Sequence, residues 1–367
     1  MMSPDCFTGT MSADEAAAAM SAGWLDTCGD DQVEIIPLSD GGPGFIDSVV
    51  RGLGATRQFA TVRGPLGDNV VAQYAILGTQ AWIESAQACG LNLIESDDRN
   101  PRITSTYGVG ELIRAAVEAG CRTVTVGLGG TGTNDGGAGA LAALGAVCTG
   151  GTLSGGGSGL LELESVDLAL AVELLSDVTL IIATDVDSPL LGLRGATNTF
   201  ARQKGADDDD IMHLEGAMEH FAKLCAKRPD GKDPAVALGA GAAGGLGYGL
   251  LHLGASRVAG IDTVLDIVGF DDLLRSCDLV ITGEGCLDDQ SLSGKVVAGV
   301  AHRARTIGKP CVAISGVVRL GKREASTAGI DSTYSMSELV GLEKSMSEPQ
   351  VALREVTARV AKTWGRL

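Results

Sequence analysis

The stretch Val124–Gly139, VTVGLGGTGTNDGGAG, decides the fold of this chain. A short β-branched run breaks into a glycine-rich loop, which is how a buried strand ends in an α/β protein. Glycine lets backbone N–H groups approach a ligand closely, and small polar side chains between the glycines can hydrogen-bond phosphate oxygens. The stretch therefore predicts a phosphate-binding loop with these ligands: Gly129, Gly130, Thr131, Thr133, Asn134, Asp135, Gly136 and Gly137.

The same glycines also fit a dinucleotide-binding fingerprint, because the spacing G-x-G-x-x-G begins at Gly127 and again at Gly239. A dinucleotide site requires an acidic residue about 20 residues past the fingerprint to bind the ribose. The next acid after the loop is Glu162, which disfavours a nicotinamide oxidoreductase. A Walker A loop is excluded, since Asp289 stands where the motif ahead of Lys295 needs glycine.

Composition narrows the class of protein. The chain has 367 residues, enough for two domains, with 45% hydrophobic residues, 4% aromatic residues and 53 glycines, which is typical of a compact α/β enzyme. The net charge of −18 argues against nucleic acid and anionic membranes as partners, because both are polyanions. A phosphorylated ligand would therefore need local cations or Mg²⁺.

The cysteines give no sign of cross-linking or metal binding. They number nine, an odd set without a C-x-x-C pair, so neither a disulfide framework nor a zinc site is indicated. The amino-terminal residues lack the pattern of a secretory leader. No uncharged apolar segment reaches the roughly 18 residues of a membrane span. We expect a soluble cytoplasmic protein.

Short apolar runs alternate with helical periodicity, which predicts a parallel sheet covered by helices. Ser12 and Glu15 form a capping box at a helix start. The four acids 207–210 fit the dipole of the helix that they open, and 150–159 is predicted to be a flexible surface loop. The predicted helices are Ser12–Trp24, Gly108–Ala119 and Ile211–Lys227, and the predicted strands are Val33–Pro37, Val70–Ile76, Gln80–Glu84, Thr123–Val126, Leu180–Thr184, Asp278–Thr282 and Cys311–Ser315.

Acidic residues follow several of these strands. Since ligands bind at the carboxyl ends of parallel strands, we expect one acidic cleft formed by Asp40, Asp135, Asp185, Asp187, Glu284 and Asp288. An extended backbone would direct Asp185 and Asp187 to the same side, where the pair would bind Mg²⁺ or act as a base. A helix cap or Asx turn before Pro189 explains the pair equally well. Lys204 would neutralise the charge of a phosphate group. The alternative is that it is an exposed, solvated lysine on the surface.

Together these residues resemble the bacterial-type glycerate kinases, which phosphorylate D-glycerate with ATP. The resemblance covers nearly the whole chain. It is carried by Pro4-Asp5, Asp40-Gly41-Gly42, Gly64-Pro65-Leu66-Gly67, Gly129-Gly130, Thr133–Gly139, Asp185-Val186-Asp187, Gln203–Ala206, Gly239–Gly245, Ile281–Gly285, Asp288, Gln290, Gly294 and Lys295.

The resemblance implies an α/β fold of two domains. One is a Rossmann-like domain with a parallel sheet built from both termini, residues 1–65 and 278–367, and the other is a mixed α/β domain inserted between them, residues 66–277. The active site would lie in the cleft. The resemblance further implies ATP and Mg²⁺ as cofactors and glycerate or a similar small hydroxy acid as substrate.

We assign roles from the needs of phosphoryl transfer, which are positioning and charge neutralisation. The loop Gly129–Gly139 would bind the phosphates of ATP, and Asp185 or Asp187 would hold Mg²⁺ or act as the base. Asp288 is a second candidate base, and Lys204 would balance negative charge during catalysis. The residues expected at the substrate are Asp40, Lys295, Arg202 and Gln290.

The chain departs from the family pattern at charged positions. Thr8 stands where the family has Lys, Pro43 where it has Glu, and Cys286 where it has Arg, while Arg202 restores one positive charge. Losing a charged partner of a bound carboxylate costs orders of magnitude in affinity. The alternative hypotheses are therefore a kinase of another hydroxy acid and a non-catalytic metabolite-binding relative.

The start of the chain departs too. The family's first strand precedes Pro-Asp, and here only Met1, Met2 and Ser3 do so. We therefore expect exposed apolar surface and an unpaired sheet edge at this point.

Overall fold

The structure, a computed structural model, describes residues 1–7, 9–225, 228, 230–292 and 294–365. The chain forms two compact units. The continuous unit is Gly41–Ala259, and the split unit combines Met1–Asp40 with the residues from Gly260 onward. The domain limits expected near residues 65 and 278 stay a prediction.

Both units contain helices and strands. The strands are β1 (Thr56–Arg63), β2 (Asn69–Leu77), β3 (Gln80–Glu84), β4 (Thr123–Gly127), β5 (Val147–Thr149), β6 (Ser165–Asp167), β7 (Thr179–Ala183), β8 (Ser256–Val258), β9 (Val280–Thr282), β10 (Cys286–Leu287), β11 (Cys311–Ser315), β12 (Val317–Val318) and β13 (Ser332–Ser335). The helices are α1 (Ala13–Leu25), α2 (Phe45–Leu53), α3 (Ala86–Cys89), α4 (Tyr107–Glu118), α5 (Ala138–Leu144), α6 (Gly156–Gly159), α7 (Ala169–Leu174), α8 (Ala196–Phe200), α9 (Asp208–Leu224), α10 (Ala242–His252), α11 (Gly260–Ile267), α12 (Phe270–Ser276), α13 (Val296–Ile307), α14 (Lys322–Ala328), α15 (Met336–Val340), α16 (Leu342–Ser347) and α17 (Pro349–Trp364).

The continuous unit is built on a six-stranded sheet of order β1-β2-β3-β4-β7-β8. The first three strands run antiparallel, with β2 and β3 joined by a turn at Gly78, whose φ is +60°. From β3 through β8 every neighbouring pair is parallel. The predicted α/β class with a mostly parallel sheet is therefore confirmed.

The core of the continuous unit explains the length of its hydrophobic runs. Parallel strands covered on both faces bury nearly every side chain, and Val124 and Val126 of β4 are fully buried. Leu112 and Ile113 of α4 belong to the same cluster, as does Leu141 of α5. This packing fixes the carboxyl end of β4, from which the glycine-rich loop emerges.

The split unit contains a parallel sheet of order β13-β11-β9. Met2 forms parallel bridges with both Ile35 and Ile281, so the amino-terminal residues enter this unit beside β9. Met1 and Met2 are 8% and 2% exposed, so the expectation of exposed apolar surface is wrong at these two residues. The strand predicted at 33–37 is also wrong in extent, because only Ile35 takes part in a bridge.

The predicted helix caps, which depend on residues that are neighbours in the chain, are confirmed. Ser12 caps α1 and forms the predicted capping box with Glu15. Asp207 caps α9, where Asp210 completes a second box; Lys227, at the end of that predicted helix, lies outside the described residues. The surface loop predicted for 150–159 is wrong over its second half, since Gly156 and Gly157 are buried in α6.

Two further observations concern the whole described chain. All nine cysteines are free. Among the described helices, none combines the length and apolar character needed to cross a membrane.

Candidate functional site

The glycine-rich loop leaves β4 and runs to the start of α5. Two backbone hydrogen bonds tie it to the segment after α3: Gly132 donates to the Cys89 carbonyl, and Leu91 donates to the Gly130 carbonyl, both at 2.8 Å. Residues 131–137 are buried, whereas Gly129 is half-buried and Gly130 is exposed. Of the predicted phosphate ligands, the two glycines at the start of the loop are therefore the accessible ones.

Most glycines of this loop allow close packing against other parts of the protein. A Cβ at Gly129 would come within 2.5 Å of Gly42 Cα, and one at Gly136 within 2.9 Å of Met218 Sδ. At Gly244, in a second glycine-rich segment, a Cβ would come within 1.9 Å of the Thr133 carbonyl oxygen. From the sequence, these glycines were expected to let a ligand approach the backbone. Their role in packing against other parts of the protein was not predicted.

Backbone amides at the accessible end of the loop are available to an anion. Within the part of the chain that the structure describes, the N–H groups of Gly129, Gly130 and Thr131 donate to no acceptor. Consecutive amides of this kind, with Gly130 at φ +69°, form the concave anion sites known as nests. The loop thus offers hydrogen-bond donors where the sequence predicts phosphate binding.

Lys204 brings a positive charge to the same loop. Its Nζ donates to the Thr133 carbonyl at 2.7 Å and lies 3.4 Å from Thr131 Oγ1. The side chain is only 3% exposed, and both of these contacts are with neutral oxygens. Burial lowers the pKa of Lys204 to about 8. The charge of the nearby Asp135 opposes this lowering in part, and a bound anion would stabilise the buried ammonium further.

Asp135 has a supporting role in the loop. Its carboxylate accepts hydrogen bonds from the Gly137 amide at 3.0 Å and the Gly139 amide at 3.2 Å, at the start of α5. The amide and the hydroxyl of Thr106 also donate to it. Burial raises the pKa of Asp135, and these hydrogen bonds oppose the rise. With its oxygens so occupied, Asp135 shapes the loop; Thr106, which sequence reasoning missed, is its main partner.

Asn134 is completely buried beside Asp135. Its Nδ2 donates to Thr197 Oγ1 at 3.1 Å, and its Oδ1 has no partner among the described residues. Thr197 lies on α8, far from the loop in sequence, so the sequence alone gave no sign of it.

Asp185 and Asp187 follow β7 but differ in their surroundings. The strand ends at Ala183, so strand alternation does not extend to these aspartates. Asp187 is 69% exposed at its side chain and pairs with Arg257 at 2.7 Å. Asp185 is half-buried. Within the described ranges, no cluster of three or more His, Cys, Asp or Glu side chains is placed to hold a metal ion.

Arg202, predicted at the substrate, forms an ion pair with Asp208 at the start of α9. Both side chains are largely exposed. The structure therefore places Arg202 apart from the buried Lys204, although the two are neighbours in sequence.

The split unit brings together a group of carboxylates. Burial and the negative charge of Asp40 both raise the pKa of Asp5. Burial likewise raises the pKa of Glu284, while Lys295, with Nζ 3.9 Å from Glu284 Oε2, opposes the rise. Glu284 belongs to the acidic cleft expected from the sequence, whereas Asp5 was absent from the predicted site residues although it stands in the Pro4-Asp5 motif.

Asp288 and Gln290 lie in one turn of the split unit. Asp288 Oδ1 accepts from the Gln290 amide at 3.0 Å and the Ser291 amide at 3.3 Å, and Gln290 is exposed. Cys286 Sγ lies 3.9 Å from Asp288 Oδ2. Among the described residues the hydrogen-bond partners of the Asp288 carboxylate are backbone amides and the Cys286 thiol, and none is a cation.

Comparison with known proteins places this geometry in a family. The sequence model of the glycerate kinase family matches residues 1–365. The chain belongs to the glycerate kinase family.

Individual relatives match at least 92% of the chain. A protein named glycerate kinase from Halalkalibacterium halodurans is 37% identical over 100% of this chain and 98% of its own length. Glycerate kinase from Bacillus subtilis is 40% identical, covering 92% of this chain and 89% of the relative, and glycerate 2-kinase from Escherichia coli is 37% identical, covering 93% and 91%. A crystal structure from Salmonella typhimurium LT2, described as a candidate glycerate kinase 2, superposes with a TM-score of 0.76 at 35% identity, covering 100% of this chain and 97% of the other.

Proposed function

We propose that this chain transfers a phosphoryl group from ATP to a hydroxyl group of D-glycerate. The observation that carries the proposal is the buried Lys204 next to the unpaired amides of Gly129–Thr131, in a chain of the glycerate kinase family. Amides and an ammonium are the donors that a phosphate group requires. When bound, ATP would supply the phosphoryl group and Mg²⁺ would neutralise part of its charge.

Residues of the continuous unit would have different roles in binding ATP and Mg²⁺. The amides of Gly129–Thr131 would bind phosphate oxygens and Lys204 would balance their charge. Asp185 would contribute a carboxylate to Mg²⁺, which typically takes one or two protein carboxylates together with substrate phosphates. Asp187 would assist it, although Arg257 already holds that side chain.

The transfer itself forms one bond and breaks one. The glycerate hydroxyl oxygen would bond to the γ-phosphorus as the bond to the β–γ bridging oxygen breaks, with ADP taking that electron pair. The hydroxyl proton would pass to a carboxylate, with Asp185, Asp187 and Asp288 as candidates. Asp40, Lys295, Gln290 and Arg202 stay proposals for the substrate.

We also propose that the two compact units are two domains, with the split unit as the Rossmann-like one. Its parallel β13-β11-β9 sheet, formed from the carboxyl-terminal part of the chain and bridged to Met2, supports this assignment. A cytoplasmic location is supported by nine free cysteines, which are typical of reducing compartments.

A second candidate function is phosphorylation of a different hydroxy acid. The supporting observation is Cys286, which lies against Asp288 where the family pattern has Arg, so that Asp288 has no cationic partner among the described residues. Pro43 adds a second departure, and Thr8, the third, lies outside the described residues.

One assay separates these functions. Release of ADP is measured with purified protein, ATP, Mg²⁺ and D-glycerate, leaving out each component in turn and using other small hydroxy acids in parallel. Efficient turnover of D-glycerate supports the proposal, whereas preference for another acid supports the second candidate. Binding without ADP release would refute both and indicate a non-catalytic relative.

A further inference from the structure

Arg319 lies next to the turn that carries Asp288 in the split unit. The short strands β10 and β12 pair in parallel, with Leu287 opposite Val318. The ladder continues one residue further, because the Arg319 amide donates to the Leu287 carbonyl at 2.8 Å. Arg319 therefore stands in register with Asp288.

Cys286, Asp288 and Arg319 belong to one face of this ladder. Alternate residues of a strand share a face, and so do residues in register on neighbouring parallel strands. Cys286 Sγ accordingly lies 3.9 Å from Asp288 Oδ2. Burial raises the pKa of the Cys286 thiol, and the positive charge of Arg319 opposes that rise. The guanidinium of Arg319 thus lies near position 286.

The guanidinium of Arg319 is available to a ligand. The residue is exposed, and among the described residues only its backbone amide, not its side chain, has a hydrogen-bond partner. A guanidinium presents its N–H donors as a rigid fork that matches a carboxylate. Since Arg319 is open to solvent, an anion can reach it without a change in the protein core.

The charges around this turn explain why a second cation is needed. Burial, together with the negative charges of Asp288 and Asp40, raises the pKa of Glu284, and Lys295 offsets part of this effect. A hydroxy acid would bring one more carboxylate to this group, and like charges repel. The family pattern has an arginine two residues before Asp288, where this chain has a cysteine.

We infer that Arg319 binds the carboxylate of the hydroxy acid substrate, in place of the arginine that the family pattern has at position 286. The inference deepens the proposed function and rests on it. Arg319 would bind and orient the substrate together with Lys295 and would take no part in bond formation. The exchange at position 286 therefore moves a positive charge to the neighbouring strand, which keeps the site suited to D-glycerate.

The first test measures the kinetics of Arg319→Gln in the full-length protein. Loss of the guanidinium should raise the KM for D-glycerate about tenfold or more, while kcat and the KM for ATP stay within threefold. The methyl ester of D-glycerate lacks the negative charge, so its KM should change less than threefold. Arg323→Gln, which replaces an exposed arginine of α14, is the matched control and should change none of these constants.

The second test asks whether Arg319 replaces an arginine at position 286. Adding Cys286→Arg to Arg319→Gln returns a guanidinium to the same face and should bring the KM for D-glycerate within threefold of wild type. Adding Cys286→Ser instead should give no recovery. Failure of Cys286→Arg to restore the KM, in a variant with the thermal unfolding of wild type, would overturn the replacement. An equal change for the acid and its ester, or no change, would overturn carboxylate binding by Arg319.

Calorimetry distinguishes failure of this inference from failure of the proposed function. Turnover of D-glycerate that does not depend on Arg319 refutes the inference alone. Wild-type protein that binds D-glycerate without phosphorylating it refutes the proposed function alone, provided that Arg319→Gln weakens this binding at least tenfold. Without that weakening, or without binding of any hydroxy acid, both are refuted.

Discussion

Asp135 accepts hydrogen bonds from both the amide and the hydroxyl group of Thr106, at 2.8 and 2.9 Å. The Thr106 hydroxyl in turn accepts from the Ala140 amide at 3.0 Å. The start of α4 is thus joined to the start of α5 through one buried carboxylate. This connection holds the loop between β4 and α5 in shape without help from a ligand.

Asp135→Asn should destabilise the protein by about 2–4 kcal/mol, because one oxygen becomes an NH₂ group facing backbone donors. Urea unfolding followed by circular dichroism gives the free energy of unfolding. Asp209→Asn, an exposed change in the first turn of α9, is the control and should cost less than about 0.5 kcal/mol. Equal stability of the Asp135 variant and wild type would contradict the supporting role.

Sequence patterns were sufficient where the determinants are local. The Ser12 box and the strands β3 and β11 depend on residues that are neighbours in the chain, and the structure has them as predicted. The strand at 33–37 failed because pairing requires a distant partner, and only Ile35 has one there.

The same limit applies to the candidate site. The loop 129–137 is visible in the sequence, but the network around it is not, since Thr197 is 63 residues from Asn134 and Lys204 is 73 residues from Thr131. The left-handed backbone of Ala243, with φ +54°, was equally hidden, because a non-glycine residue gives no signal for that conformation. Only the tertiary contacts distinguish the residues that support the loop from those that could bind a ligand.

The stability of the protein should depend on pH through Glu84. Its Oε2 accepts from the amides of Gly44 and Ile46 at the start of α2, at 3.1 and 3.4 Å, while burial raises its pKa from 4.5 to about 7. The folded state therefore binds more protons than the unfolded state between those pH values, and stability falls as pH rises through that window. The contribution is at most about 3 kcal/mol.

Glu84→Gln should remove this dependence. Urea unfolding at pH 4, 5, 6, 7 and 8 should show wild type losing stability relative to the variant as pH rises, with most of the change complete by pH 8. Parallel curves for the two proteins across the series would show that Glu84 does not titrate in this window.

Lys204→Met should abolish most activity while preserving the fold. The ammonium donates to the neutral Thr133 carbonyl and also interacts with the charge of the buried Asp135, so thermal unfolding must accompany the assay, and the proposed phosphate contact is lost. We expect kcat/KM to fall at least 100-fold, the scale of a lost charge-assisted contact at about 3 kcal/mol. Lys223→Met, which replaces an exposed lysine of α9, is the control for surface charge.

The pH dependence of Lys204 gives a second check. Its pKa is lowered by burial from 10.5 to about 8, so the unfolded state binds more protons between these values, and the stability of wild type should rise with pH relative to Lys204→Met. Activity should instead fall above pH 8 as the ammonium loses its proton. A kcat/KM profile that stays flat to pH 9.5 would argue against a role for the charged form.

Replacing Asp185 and replacing Asp187 should change the Mg²⁺ concentration required for activity by different amounts. Asp185→Asn should raise the Mg²⁺ concentration for half-maximal activity at least tenfold. Asp187→Asn should change it less than threefold, because Arg257 holds the Asp187 carboxylate at 2.7 Å. Titrating Mg²⁺ at saturating ATP measures both variants; the reverse ranking would transfer the metal contact to Asp187.

The division of the chain at Gly41 and Ala259 has a consequence for biosynthesis. The continuous unit emerges from the ribosome as one uninterrupted segment and can complete its sheet during translation. The first forty residues of the split unit cannot complete their packing until β9, β11 and β13 have been synthesised. Nascent Met2 can bridge Ile35 early but depends on the last third of synthesis for its second partner, Ile281, and late truncations should leave an amino-terminal segment exposed to chaperones and proteases.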